Sequence, residues 1–179
     1  YYGKPVHLGI DLSSRNDLTS IASSIEVDED SYALHCMSFL PEENIAELAR
    51  LTRAPYLDWI AKGYIRTTPG ASIEYSFVAE YIINMCKLFD VQRINFDSWR
   101  FDILKNELLK ADPNFNIALL IPHGQGFRDM SPAVDAMEEL LLNGKITHGG
   151  DPVLKWAFSN AVLEKDAAGN KKLTKAKSY

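Results

Sequence analysis

The sequence has only two cysteines and no apolar stretch long enough to cross a membrane. Cys36 and Cys86 lie in apolar surroundings and fit neither a paired metal-binding spacing nor a disulfide framework, so we expect both to be reduced core residues. No apolar run approaches the roughly 18 residues of a transmembrane helix, and the start YYGKPVHLGID lacks the charged-then-apolar order of a signal peptide. These absences predict a soluble protein that is not secreted.

Positive charge is also scarce, since 19 Lys and Arg stand against 24 Asp and Glu, a formal net charge of −5. This balance ordinarily argues against nucleic acid as a partner, because Lys and Arg supply most of the affinity for phosphates. The 179 residues are 46% apolar, which predicts one compact domain with a buried core and excludes collagen, coiled coil and disordered chain. The chain starts without Met and ends in a basic tail, so we expect it to be a segment of a longer protein.

The first half predicts an antiparallel meander followed by a helical insertion. Three apolar runs separated by polar turns indicate consecutive strands at residues 6–12, 18–27 and 31–40. Two short helical pieces, a short strand and a longer amphipathic helix are then expected after Pro41 and at residues 55–61, 64–67 and 74–89.

The second half alternates strands and helices, which predicts parallel strands joined by helices. Strands are expected at residues 92–97 and at the continuous apolar run 116–122, which should be a buried parallel strand. Helices are expected at residues 98–110, from the N-cap and first-turn proline Ser131-Pro132, and from Asp151-Pro152 over residues 153–161; residues 163–172 fit a hairpin. The predicted fold is α/β, with a mixed sheet of an antiparallel meander plus parallel strands flanked by helices.

Two aspartates lie at the ends of predicted strands, Asp11 after the first strand and Asp97 after the first strand of the alternating half. In a mixed sheet these strands can be neighbours, with both carboxylates at one edge. Such a pair repels itself unless a cation neutralises it. Carboxylates suit Mg²⁺ or Mn²⁺, and two ions about 3.5–4 Å apart would stabilise the attacking and leaving oxygens of a phosphodiester. The pattern predicts metal-dependent phosphoryl transfer, although aspartate at a strand end is also a common turn residue.

Other polar residues carry weaker signals. Asp17 follows the turn after Asp11 and could return to the same edge, whereas alone it would be a turn residue. His123 and His148 flank glycines and could contact phosphate or act as a general base, but loop histidines are usually solvated. Asp151 precedes proline and is interpreted as an N-cap. The remaining candidates are interpreted as solvated helix faces (Asp102, Asp129 and Asp135) and as core or interface aromatics (Trp59, Trp99 and Trp156).

Five segments follow one another along nearly the whole chain: GIDLSSRNDLTS, YLDWIAKGYIRTTPG, INFDSWR, QGFRDMSPAVDAMEELLLNGKITHGGDPVLKWAFSNAV and KDAAGNKKLTK. Together they resemble the nuclease domain of tailed-phage large terminase subunits. In that family an amino-terminal ATPase domain drives DNA translocation, and no G-x-x-x-x-G-K-[ST] loop occurs in this chain. Residues 1–179 are therefore expected to form a single nuclease domain, a fragment of a longer chain whose ATPase domain is absent.

The resemblance implies a ribonuclease H-like fold and a two-metal endonuclease, dependent on Mg²⁺ or Mn²⁺, that cuts concatemeric double-stranded viral DNA during packaging. By motif, Asp11 in GIDLSS and Asp97 in FDSWR correspond to metal-binding catalytic acids, and Asp17 in NDLTS to a supporting metal-site acid. The resemblance further implies the portal protein, the small terminase subunit and the ATPase motor domain as partners, no membrane partner, and the host-cell cytoplasm during virion assembly as the location.

The family's third acid normally lies in a helix just after the segment that matches LTKAKSY, which would be beyond Tyr179. Asp166 is the nearest carboxylate, but its hairpin context predicts a turn residue, so the role is not transferred to it. Two alternatives stay open: a catalytically incomplete docking module for the portal or motor, and a resolvase- or transposase-like nuclease core. The sequence has no base-reading motif, which predicts little sequence specificity.

The net charge does not exclude DNA once the distribution of charge is considered. Metal ions would neutralise the strand-end acids, and a local positive tail is formed by Lys171, Lys172, Lys175 and Lys177. The sequence predicts weak, salt-sensitive DNA binding by this domain alone.

Overall fold

The computed structural model describes residues 3–13, 17–98 and 101–174. Its strands are β1 (Pro5–Asp11), β2 (Thr19–Asp28), β3 (Ser31–Pro41), β4 (Ile65–Thr68), β5 (Asp90–Phe96), β6 (Leu120–Pro122), β7 (Ile146–Thr147), β8 (Val162–Lys165) and β9 (Lys171–Thr174). Its α-helices are α1 (Ile45–Thr52), α2 (Tyr56–Ala61), α3 (Tyr75–Leu88), α4 (Phe101–Ala111), α5 (Phe127–Leu142) and α6 (Pro152–Asn160). No helix in these ranges is long and apolar enough to span a membrane.

The central sheet is mixed, in the order β4-β3-β2-β1-β5-β6, with β7 alongside β3. The meander β1-β2-β3 is antiparallel, whereas β5 runs parallel to β1, β6 runs parallel to β5, and β4 and β7 run parallel to β3. The predicted combination of an antiparallel meander with parallel strands is therefore confirmed. The predicted hairpin is also confirmed, as the antiparallel pair β8-β9.

One face of the sheet carries the main hydrophobic core. Burial alternates along β1, where Val6, Leu8 and Ile10 are buried and Asp11 is exposed. Helices α3 and α4 cover this face with apolar side chains that include Ile82 of α3. Because successive strand side chains point to opposite faces, the acid at the end of β1 lies on the face that the core does not occupy.

A second apolar cluster joins α1, α2 and α6 to the end of β3. Trp59 is buried there and packs against Tyr56 and Trp156, with ring centroids 5.4 and 5.8 Å away. The interpretation of Trp59 and Trp156 as packing residues is confirmed. Trp99 lies outside the described residues.

Both cysteines are free and half-buried. Cys86 packs against the main core, and the Sγ of Cys36 lies 4.0 Å from the Oγ of Ser38. Burial raises the pKa of both thiols. A raised pKa lowers the thiolate fraction at neutral pH, so both cysteines should react slowly with alkylating reagents.

The prediction of a buried strand over residues 116–122 is wrong for most of that segment. The Asn116 side chain accepts a hydrogen bond from the N–H of Ala118 and caps a 3₁₀ turn, Ile117–Leu119. Only the three residues of β6 pair with β5, and Ile121 is exposed there. An asparagine that bonds to nearby backbone competes with strand pairing, and this shortens the edge strand.

The predicted start of a helix at Ser131-Pro132 is also wrong, because α5 begins at Phe127. The carbonyl of Gly126 accepts hydrogen bonds from the N–H groups of Asp129 and Met130, which starts the helix earlier. Pro132 then lies inside α5, and Ser131 is buried within the helix instead of capping it. Strand β7, a two-residue addition beside β3, has no sequence signal that we recognised.

Candidate active site

The carboxyl ends of β1 and β5 bring Asp11 and Asp97 together. These parallel strands pair with Ile10 opposite Phe96, so Asp11 and Asp97 occupy the next positions of two adjacent strands. Since Ile10 and Phe96 face the core, strand alternation directs both aspartates to the opposite face. Both line one open cavity of about 370 Å³, which we call the strand-end groove. The neighbouring strand ends predicted from the sequence are confirmed; the metal-binding role of the two acids stays a prediction.

Small residues form the floor of the strand-end groove beside the acids. Gly9 lines the groove between Ala22 of β2 and Asn95 of β5, with which it is in register. A Cβ atom added to Gly9 would meet no atom of the described residues within 4 Å. Ser20, which is in register with Asp11, adds a hydroxyl to the lining. The floor therefore leaves space next to the carboxylates that a larger side chain would fill.

A third strand end brings His123 to the same groove. The N–H of His123 donates a hydrogen bond to the carbonyl of Phe96, at 2.8 Å, directly beside Asp97. Both His123 and Gln125 line the strand-end groove with the two acids. The sequence marked His123 only as one of two glycine-flanked histidines, and Gln125 was missed. The pairing of β5 with β6 is what places them here.

Asp17 lies in the turn between β1 and β2 and does not line the strand-end groove. Its carboxylate accepts a hydrogen bond from the N–H of Leu18, at 2.9 Å. Burial raises the pKa of Tyr56, and the Asp17 carboxylate adds to that shift, so Asp17 is near the second apolar cluster. Within residues 3–13, 17–98 and 101–174, no three His, Cys, Asp or Glu side chains form a group that could hold a metal ion. The supporting role of Asp17 stays a prediction.

A buried hydrogen-bond network holds the chain directly after Asp11. The N–H of Ser13 donates to the Oγ1 of Thr19, at 2.8 Å, and the hydroxyl of Tyr75 donates to the carbonyl of Ser13, at 2.7 Å. Ser13, Thr19 and Tyr75 are all buried. The network fixes the end of β1 against the start of β2 and helix α3, and it was not foreseen because Tyr75 is distant in the sequence.

Tyr75→Phe is expected to lower the free energy of unfolding by about 1–2 kcal/mol, because the buried carbonyl of Ser13 loses the hydrogen bond from the Tyr75 hydroxyl. Urea denaturation measures the effect. Tyr81→Phe on the same helix is the matched control, since its hydroxyl is outside this network; equal effects of the two substitutions would contradict the assignment.

The other glycine-flanked histidine and the predicted N-cap lie on one loop. Asp151 is buried, and its Oδ1 accepts hydrogen bonds from the N–H groups of Val153 and Leu154, at 2.8 and 3.1 Å, so the N-cap prediction is confirmed. His148 has a buried Nδ1 atom without a hydrogen-bond partner in the described part of the chain. Neither residue lines the strand-end groove.

The prediction that Asp166 is a turn residue is confirmed. Its Oδ1 accepts hydrogen bonds from the N–H groups of Ala168 and Asn170, both at 2.9 Å, between strands β8 and β9. Hydrogen bonds from the side chain and backbone of Asn170 and from the backbone of Ala168 and Gly169 lower the pKa of Asp166. Both carboxylate oxygens of Asp166 therefore have bonds within the turn.

Lys171 attaches the hairpin to helix α5. Its Nζ contacts Glu138 and lies 2.9 Å from the Oδ1 of Asp135, and its N–H donates to the Oγ of Ser131. Hydrogen bonds to Glu138 and Asp135 raise the pKa of Lys171. Asp135 is exposed, as predicted, but it is also ion-paired. Asp102 and Asp129 are exposed, in agreement with their interpretation as solvated residues.

Comparisons with known proteins show the family to which the chain belongs. Residues 1–179 match the family described as "Terminase large subunit, endonuclease domain". The chain is 43% identical over 172 residues to the large terminase subunit of Enterobacteria phage HK97, which covers 96% of this chain and 34% of that protein. The crystal structure of the HK97 large terminase matches with a TM-score of 0.89 and 42% identity, over 98% of this chain and 36% of that one.

A structure of much lower sequence identity has a similar fold. The large terminase nuclease from thermophilic phage G20c matches with a TM-score of 0.59 and 12% identity, over 98% of this chain and 73% of that one. These matches confirm the ribonuclease H-like class that the family resemblance implied. The chain spans about a third of the length of the HK97 protein. It belongs to the family of terminase large-subunit endonuclease domains.

Proposed function

We propose that this chain is the divalent-metal-dependent endonuclease of a viral DNA-packaging terminase and that it hydrolyses phosphodiester bonds of concatemeric double-stranded DNA. The observation that carries the proposal is the placement of Asp11 and Asp97 at adjacent strand ends in one open groove. Two carboxylates that line one groove repel each other, and a cation between them would relieve this repulsion. The family to which the chain belongs supports the nuclease activity.

The residues present fit a hard divalent cation. Asp11 and Asp97 supply carboxylate oxygens, the donors that Mg²⁺ and Mn²⁺ prefer, and Gly9 leaves space beside them. Asp11 and Asp97 would hold the ions, with Asp17 as a supporting acid. Bound ions would activate water and stabilise the charge that develops on the phosphate. The protein contributes the fixed position of the two acids and a groove open to a DNA strand.

A third metal ligand is proposed to come from a helix that follows Tyr179, in keeping with the family resemblance. Asp166 does not fit this role because its carboxylate stabilises the hairpin turn. If the third ligand lies there, a chain extended past Tyr179 should cut DNA faster and need less Mn²⁺ than residues 1–179. Equal rates in the two proteins would contradict this part of the proposal.

The proposed setting is the host-cell cytoplasm during virion assembly. The expected partners are the portal protein, the small terminase subunit and the ATPase motor domain, with DNA held mainly by these partners. The HK97 relative, itself a large terminase subunit, supports packaging as the context.

Supercoiled plasmid incubated with the protein and Mn²⁺ is expected to become nicked or linear, and EDTA should prevent this. Conversion that EDTA does not affect would refute the metal dependence. Absence of conversion in both the 179-residue and the extended protein would favour a docking module without activity. Preference for branched over linear duplex in a competition assay would favour a resolvase-like core instead.

A further inference from the structure

We infer that His123 contacts the scissile phosphate of DNA and that Gln125 and Gly124 position it. His123 and Gln125, in the loop that connects β6 to α5, thus form a phosphate-contacting wall of the strand-end groove. This inference rests on the proposed nuclease function and adds a contact for its substrate. It rests on two hydrogen bonds that restrain the main chain of His123.

The backbone of His123 is fixed on both sides. Its N–H donates to the carbonyl of Phe96, at 2.8 Å, and its carbonyl accepts a hydrogen bond from the Nε2 of Gln125, at 3.3 Å. The first bond continues the pairing of Phe96 with Pro122 and places His123 beside Asp97. A side chain on such a restrained backbone loses less conformational entropy when it binds a substrate.

Gly124 keeps this loop close to the first turn of α5. A Cβ atom at Gly124 would lie 2.3 Å from the Oδ2 of Asp129 and 3.3 Å from its Cβ. Such distances are too short for unbonded atoms, so only glycine fits without a shift of the loop or of Asp129. Gly126, two residues further, has no such contact, since a Cβ there would meet nothing within 4 Å.

The chemistry of the groove explains why a hydrogen-bond donor is useful at His123. Carboxylate oxygens and phosphate oxygens are both hydrogen-bond acceptors, so the two acids alone offer a phosphate no donor and would need cations beside it. An imidazole N–H can donate a hydrogen bond to a non-bridging phosphate oxygen in either protonation state. His123 shares the groove with both acids and can therefore bind the phosphate group that they face.

His123→Ala is expected to slow Mn²⁺-dependent plasmid nicking roughly 10- to 100-fold, the effect of losing one hydrogen bond to a charged group. The Mn²⁺ concentration for half-maximal rate should not change, because the residue contacts DNA and not the ion. His123→Gln should recover part of the rate through its amide N–H. His35→Ala is the matched control, since His35 is exposed on β3 and does not line the groove.

A wild-type rate in His123→Ala would overturn the inference, and so would a changed Mn²⁺ requirement, which indicates a metal ligand. Binding of a fluorescent 20-base-pair duplex with Ca²⁺ in place of Mn²⁺ separates this result from failure of the proposed nuclease function, because Ca²⁺ also binds carboxylate oxygens and the readout does not depend on cleavage. If no protein nicks DNA, the nuclease proposal fails, yet His123→Ala should still bind the duplex about 3- to 10-fold more weakly than His35→Ala, a loss within the range of one hydrogen bond. Equal binding there would overturn the inference as well.

The substitutions Gly124→Ala and Gly126→Ala form a matched pair that tests the positioning role of Gly124. Gly124→Ala should slow nicking, because its Cβ does not fit beside the Asp129 side chain as it stands, and a shift of the loop to relieve this contact would move His123 relative to the phosphate. Gly126→Ala should stay close to the wild-type rate. Equal rates for the two variants, with both folded by circular dichroism, would contradict the positioning role.

Discussion

Asp11→Asn and Asp97→Asn are each expected to abolish Mn²⁺-dependent nicking of plasmid DNA. Asparagine keeps the size of the side chain but removes a negative oxygen ligand, so the affinity for a hard cation falls sharply. Metal ions supply several kcal/mol of charge stabilisation to a phosphoryl transition state, and each 1.4 kcal/mol is about a factor of ten in rate. The expected loss is therefore more than roughly a thousandfold. Quantification of nicked plasmid over time measures it.

The same substitutions should leave the fold intact. Both acids lie on the face of the sheet away from the main core, where Asp11 is exposed and Asp97 is half-buried. Asp102→Asn is the matched control, because it makes the same chemical change at an exposed position on α4 outside the groove. Rapid nicking by either groove variant, with wild-type circular dichroism and melting temperature, would refute the assignment of that acid.

Much of the sheet could be predicted because its strands carry local signals. Alternating burial in β1 corresponds to apolar residues at every second position, and polar turns separate the three strands of the meander. The proximity of Asp11 and Asp97 could be predicted from the sequence, since each residue directly follows a strand pattern. The sequence alone did not predict the parallel register of Ile10 with Phe96, which makes those strand ends neighbours.

The errors occurred where one short-range contact decides the outcome. The apolar run 116–122 looks like a strand, yet the bond from Ala118 to the Asn116 side chain turns its first half into a 3₁₀ turn. Ser131-Pro132 carries a helix-start signal, but the bonds to the Gly126 carbonyl start α5 earlier. A sequence pattern indicates the most frequent structure for a segment. A local hydrogen bond within that segment can select a different structure.

The parts of the groove that sequence reasoning missed depend on distant pairing. Gln125 lines the groove because β6 pairs with β5, and Asn95 does so because it lies two positions before Asp97 on the same face. Tyr75 reaches Ser13 across 62 positions of sequence. One usable signal existed for Asn95 and Gly9, because the strand period of two places both on the side of the acids once those are assigned.

Leu8→Ala is expected to lower the free energy of unfolding by about 2–5 kcal/mol, because Leu8 is 1% exposed and the substitution leaves a cavity in the main core. For a chain of this size each kcal/mol corresponds to about 2–4 °C, so the melting temperature should fall by roughly 5–15 °C. Thermal and urea denaturation followed by circular dichroism measure the effect. Leu8 is in register with Ile94, which is also fully buried, so little relaxation can fill the cavity.

The substitution Gly9→Ala, at the next position of β1, is expected to affect nicking and not stability. It tests which face of β1 lines the strand-end groove. Its new methyl group meets no atom within 4 Å in the part of the chain that the structure describes, and alanine is a better strand residue than glycine, so stability should stay the same or rise slightly. Nicking should slow, because the methyl group enters the strand-end groove beside Asp11. If Gly9→Ala destabilised the protein as much as Leu8→Ala, the two faces of β1 would be assigned wrongly, and the acids could not share an open groove.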